Sequence, residues 1–214
     1  MKKLVRILIW AGIIFLVVYS SISIQPLSDY KLSQSQNTFD AKVYAEGYWE
    51  STILPGLETG VDLDYFLNVV GKDRESAFYQ YGNSISIGSL AYFLVTTQGR
   101  IENIEENVIV IQLINVETLE KLTIAVEFIY GNAARDVFGA IDLNDFESTS
   151  DLNKVSEELN KIIKLKVVSP FLKQIKEGDL IEITGILELN SKFLTLNNLE
   201  IIPLKLSIVS YNKF

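Results

Sequence analysis

Uncharged residues run unbroken from 7 to 27, with the apolar ones concentrated in the first two-thirds of a run that ends near Pro26. A helix of about 20 apolar residues crosses a bilayer, so this pattern predicts a membrane-spanning segment within 1–27. Residues 28–37 are polar and predict a short tether. Helical spacing follows: Phe39, Val43, Ala45 with Trp49, and Ile53 keep roughly to it until Pro55 and Gly56, where the run is expected to stop. Thr38 is the expected N-cap, with Asp40 in the first turn. Leu63, Phe66, Leu67 and Val70 mark a second helix starting at Asp62, and 74–81 a third ended by Gly82 and Asn83.

From Leu90 the period falls to two. Residues 90–95 lead through Gly99 into 100–104, and Glu105, Glu106 and Asn107 predict a turn. Residues 108–114 and 122–129 read as the next two strands, with Ile124, Val126 and Phe128 alternating against Thr123, Ala125 and Glu127. Gly131 then breaks the chain before a short helix around 133–137. A longer helix is expected over 151–166, capped by Ser150, with Leu152, Val155, Leu159, Ile162 and Ile163 as its apolar stripe. After a turn at 176–179, residues 180–189 alternate as a strand. Asn190, Ser191 and Lys192 predict a hairpin, and 193–209 one or two final strands.

Three strands, a helix and two strands is the element order of an OB-type five-stranded barrel. The expected class is therefore α+β, mainly β, although a simple α+β sheet would give a similar pattern. The division is a membrane segment at 1–27, a tether at 28–37, a helical annex at 38–89 and an OB-like barrel at 90–214.

Charge orients the chain. Lys2, Lys3 and Arg6 precede the apolar run, and no basic residue follows it until Lys31. The positive-inside rule keeps the N-terminus in the cytoplasm and exports the rest as a single-pass protein of the bacterial cytoplasmic membrane. Serines near Ser21 and Ser23 leave a cleavable signal segment as the alternative to an uncleaved anchor. The chain carries a formal −8, and its three N-terminal cations contribute +3, so the exported part carries −11. Such a domain is repelled by phosphate backbones, and strands 108–114 and 122–129 contain no basic residue. Nucleic acid is not an expected partner.

Candidate chemistry is sparse. With no histidine and no cysteine, the chain lacks the commonest general base, thiol nucleophiles, disulfides and thiolate metal sites. It has no P-loop, dinucleotide fingerprint or nucleophile elbow. Asp142 with Asp145, and Asp62 with Asp64, have spacings that turns and caps commonly use, so no metal or cofactor is expected. The aromatics of the annex, among them Tyr44, Tyr48, Trp49, Tyr65 and Tyr81, suit either packing against a sheet or an aromatic-lined groove for a sugar or peptide. Arg135 beside Asp136, where a strand passes into a short helix, suits an anionic ligand, a buried pair or a solvated helix start.

Gly131, Ala133, Arg135, Asp136, Phe146, Val155, Leu159 and Asn160 together resemble a G-x-A-x-R-D segment, a phenylalanine segment and a helix ending in L-N. This is the pattern of the DUF2291 family of bacterial predicted periplasmic lipoproteins. Phe39, Asp40, Ala41, Tyr44, Trp49, Leu54 and Pro55 resemble its first helix, Tyr81 and Gly82 its K-Y-G turn, and Gly99, Arg100 and Ile101 a strand start. Two departures stand out. The lipobox cysteine is missing, so the apolar helix must serve as the anchor. Glu147 and Ser148 replace the family's Asn-Gln. The resemblance implies an exported envelope protein of uncharacterised function, sometimes encoded beside sugar-uptake transporters, with no catalytic residue.

The expectation is a non-enzymatic envelope protein acting as an accessory or ligand-binding module, with a transporter or other envelope protein as partner and a small molecule as ligand. Its pocket is expected where Arg135 and Asp136 meet the turn of Tyr81 and Asn83, with Trp49 nearby. The alternative is a carboxylate-based hydrolase of envelope polymers, which needs two acids facing each other across a cleft.

Overall fold

The computed structural model describes residues 3, 10, 14, 15, 19, 39–85, 88–114, 116 and 119–209. The chain forms two compact units, Met1–Phe39 and Asp40–Phe214. In the first, the described residues up to Tyr19 are helical, and Phe15 stacks on Tyr19 with ring centroids 6.3 Å apart. The predicted membrane segment and tether otherwise lie outside the described residues. Among the described residues, no helix is long and apolar enough to cross a membrane.

The second unit is built on a closed ring of five strands: β2 (Leu90–Ile104), β3 (Val108–Leu113), β4 (Lys121–Ala125), β5 (Leu180–Asn190) and β6 (Glu200–Ile208). Neighbours pair antiparallel around the ring except β4 and β6, which run parallel at Thr123↔Glu200 and Ile124↔Ile201. This is the OB-type barrel that the element order predicts. Closure needs β2 to serve two neighbours, and it does so at Gly99 and Arg100, with Gly99 pairing with Leu113 on one edge and Ile181 on the other. A Cβ at Gly99 would lie 2.9 Å from the Gln112 carbonyl oxygen. Gly185 of β5 sits at the register shift where Leu204 of β6 is left unpaired, and a Cβ there would lie 2.6 Å from the carbonyl oxygen of Ile202. Isoleucines of alternate strand positions fill the barrel, with Ile109, Ile111, Ile124, Ile181, Ile183 and Ile201 fully buried. One short strand was not foreseen: β1 (Val61–Asp62) lies parallel to β2 at Val95 and Thr96.

Several expected boundaries move, each for a local reason. The third barrel strand stops at Ala125 rather than 129, because the N–H groups of Val126 and Glu127 both donate to the Asn107 carbonyl outside the ladder. Residues 193–199 add no strand, so a single strand, β6, follows the loop after β5. The first annex helix, α1 (Ala41–Tyr48), is capped by Asp40, whose carboxylate accepts from the N–H groups of Lys42 and Val43. Pro55 and Gly56 do not stop the helical run. It widens into a π-helical stretch at Trp49–Ile53 and continues through Leu54–Gly56. Helices α2 (Leu63–Lys72) and α3 (Arg74–Tyr81) are capped by Asp62 and Asp73.

Between the two halves of the barrel lie α4 (Ala133–Asp136) and α5 (Thr149–Ile162). Ser148, not Ser150, caps α5. Its hydroxyl accepts from the Asp151 N–H and donates to the Asp151 carboxylate, which ties the first turn together. The helix then widens at Ile163–Val168 and ends in α6 (Ser169–Leu172). Helices α1 and α4 both pack on α5, and α4 also rests on β5.

Candidate functional site

Asn132 and Gly131 deliver the chain from the barrel into α4, and Gly131 makes the turn at φ +79°. All four residues of α4 are buried, which places a cation and an anion inside the protein: Arg135 is 4% exposed and Asp136 1%. The guanidinium grips its neighbour in a fork, with Nε 2.5 Å from Oδ1 and Nη2 3.1 Å from Oδ2. Its remaining reach goes to α5, where Nη1 donates to the Ser156 hydroxyl at 3.2 Å, and that hydroxyl donates to Asn132 Oδ1 at 3.0 Å. Tyr48 of α1 closes the network by donating to the Arg135 carbonyl at 3.0 Å. Among the described residues, no buried side-chain nitrogen or oxygen lacks a partner. A buried charge pair is tolerated only when satisfied in this way.

Two phenols feel this network. Burial pushes the Tyr48 hydroxyl far above its ordinary value, and the charges of Tyr44 and Asp136 add to the effect while Arg135 opposes it. Tyr92 is pushed up to about 12, again by burial first and then by Glu188 and Asp136.

The residues singled out in the sequence fall into three places. Arg135 and Asp136 form the buried pair. Asn83 meets the end of α4, its Nδ2 donating to the Val137 carbonyl at 2.7 Å, while its backbone bridges to Tyr92. Tyr81 turns instead toward α2, with its hydroxyl 3.4 Å from that of Tyr65 and its ring edge-on to Phe66. Trp49 is buried and lines a separate groove of about 890 Å³, of mixed polar and apolar lining, with Leu54, Lys166, Phe171 and β6. Asp62 and Asp142 are both occupied with local backbone N–H groups, of Tyr65 and Asn144 respectively. Among the described residues, no three carboxylates gather where they could hold a metal ion.

Sequence reasoning missed a cleft directly above the pair. One wall is the segment 127–132, and the other is the face of α5 carrying Asn153, Ser156, Glu157, Asn160 and Lys161. The cavity is about 460 Å³, and Lys164 closes one end through a 2.7 Å ion pair with Glu127. Asn160 Nδ2 donates to the Gly131 carbonyl at 3.0 Å and holds the two walls together. Ser156 and Asn132 form part of the cleft lining and belong to the Arg135 network, so the buried pair braces the cleft from beneath. The available signal was the spacing of Asn153, Glu157 and Asn160, which puts polar groups on one face of a helix. It includes two asparagines where helix propensity disfavours them.

Comparison with known proteins agrees with this architecture. A crystal structure of an OB-fold protein from Thermotoga maritima superposes with a TM-score of 0.72 at 27% sequence identity, covering 81% of this chain and all of that one. No match was found among proteins with curated descriptions. The family described as predicted periplasmic lipoprotein, DUF2291, matches over residues 12–207. The chain belongs to the DUF2291 family.

Proposed function

We propose that this protein is a non-enzymatic binding module of the cell envelope. The N-terminal apolar segment tethers it to the cytoplasmic membrane, and its barrel domain faces outward. It would take a small polar ligand in the cleft between residues 127–132 and α5, as an accessory to an envelope partner such as a solute transporter. The observation that carries this reading is the bracing of the cleft by Arg135, Asp136, Ser156 and Asn132. Binding sites favour rigid support of this kind, because a preorganised surface loses less entropy when a ligand arrives. A tethering helix is consistent with the absence of any cysteine to carry an acyl group.

The hydrolase alternative has less support. Glu127 and Glu157 both line the cleft, but both are exposed, and Glu127 is tied to Lys164. Acid catalysis at neutral pH needs a carboxyl kept protonated by burial or a like charge.

Hydrogen exchange on the full chain tests the reading, with a low-molecular-weight fraction of envelope extract as the ligand source. Slowed exchange confined to 127–132 and 153–164, and lost in a cleft-filling Asn153→Trp variant, is the expected result. Unchanged exchange in both segments would sink the proposal.

A further inference from the structure

Polar side chains face the cleft with hydrogen-bonding capacity that the fold does not use up. Among the described residues, Asn153 and Glu157 have no side-chain hydrogen-bond partner, and each is exposed. Asn132 accepts from Ser156 through Oδ1, which leaves its Nδ2 free to donate. Asn160 donates Nδ2 to Gly131, which leaves Oδ1 free to accept. Tyr130 is 69% exposed at the rim, and its ring sits 6.0 Å from that of Phe128, itself exposed.

The lysines lining the cleft are already matched. Lys164 is held by Glu127 and Lys161 by Glu158, each at 2.7 Å. An anionic ligand would have to break one of these pairs to find an opposite charge. What remains is a set of amides and one carboxylate, mixing donors with acceptors, in an otherwise mostly apolar lining that includes the exposed Tyr130 ring. Groups of this kind match hydroxyls, which both donate and accept. An exposed aromatic face matches the apolar C–H side of a saturated ring. The volume of about 460 Å³ lies inside the span of small-molecule sites, about 300–1,000 Å³.

We propose that the cleft between residues 127–132 and α5 binds a neutral polyhydroxylated ring of mono- or disaccharide size. The ring's C–H face lies on Tyr130, and its hydroxyls are read by Asn132, Asn153, Glu157 and Asn160. This rests on the reading of the cleft as the binding site and adds the class of ligand to it.

Saturation-transfer NMR on the full chain in a detergent without a sugar headgroup tests the proposal. The probes are glucose, ribose, xylose and maltose, with glutamate, glycine betaine and putrescine as charged controls. Transfer to the ring C–H protons of at least one sugar is expected. Asn153→Ala should weaken that binding about fivefold, as the loss of one or two neutral hydrogen bonds does. Tyr130→Ala should weaken it roughly tenfold, as the loss of a stacking face does. Both sites are exposed, so the melting temperature should stay close to that of the parent chain, since surface changes of this kind are small. Transfer to a charged control alone, sensitive to the same two variants, would overturn the ligand class and leave the binding-site reading standing. Transfer to no probe, with no resonance of 127–132 or 153–164 perturbed, would overturn both.

Discussion

Arg135 and Asp136 are neighbours in sequence and partners in space, and both are shut away from water. A buried pair of this kind contributes little net stability against an apolar substitute, but losing one partner strands the other. Arg135→Met should therefore destabilise the domain by about 3–5 kcal/mol, measured by denaturant unfolding. Combining Arg135→Met with Asp136→Leu should recover much of the loss, because no unpaired charge remains. Tyr48 makes a second prediction, about pH. Its phenol is neutral in the fold and raised there by burial, then by Tyr44 and Asp136, whereas in the unfolded chain it ionises near pH 10. Between those values the unfolded state binds fewer protons, so the stability Tyr48 contributes is complete below about pH 10 and is lost as pH rises beyond it. Replacing Tyr48 with Phe should flatten part of the fall in melting temperature above pH 10, at a cost of about 1 kcal/mol at neutral pH from the lost bond to Arg135. An alkaline limb of unchanged slope would show that Tyr48 is not buried as described.

At the scale of elements, the two long helical runs solve one problem in the same way. Each meets a proline, Pro55 or Pro170, that cannot donate to the turn before it, and each widens to π-helical spacing just ahead of that proline. In the second run the Ser169 hydroxyl helps by donating to the Lys164 carbonyl at 2.7 Å. This is why a sequence rule that ends helices near proline failed at Pro55. The strands were more legible, because alternating burial survives in Ile109 and Ile111, in Leu122 and Ile124, and in Ile181 and Ile183. What the alternation could not give was where each ladder runs out, since that depends on which carbonyl a distant turn presents, as Asn107 does to Val126 and Glu127. The close approach of Gly185 to β6 provides a test of the barrel. Gly185→Ala should push the strand off the Ile202 carbonyl and destabilise the domain by about 1–3 kcal/mol in a thermal melt. Parent-like stability would mean that β5 and β6 do not approach as closely as the ring requires.

At the scale of the whole molecule, the order of strands, helix and strands pointed to the OB ring, and the ring is there. The cleft was harder to read because its walls, at 127–132 and 153–164, are separated along the chain by α4 and the loop after it, and only the packing of α5 brings them together. Arg135 stood out in the sequence as a candidate to touch a ligand. The fold uses it one layer deeper, beneath Ser156 and Asn132. Net charge likewise described the molecule without describing the site: the chain beyond Arg6 carries a formal −11, while the lysines at the cleft are matched by carboxylates.

Everything proposed for the cleft presumes a domain that faces outward from the membrane. Protease treatment of intact spheroplasts, with the undigested chain sized on the same gel, tests this most directly. The account predicts a full-length chain before treatment, degraded when protease is added outside. A chain that stays intact until the spheroplasts are lysed would place the domain in the cytoplasm and contradict it.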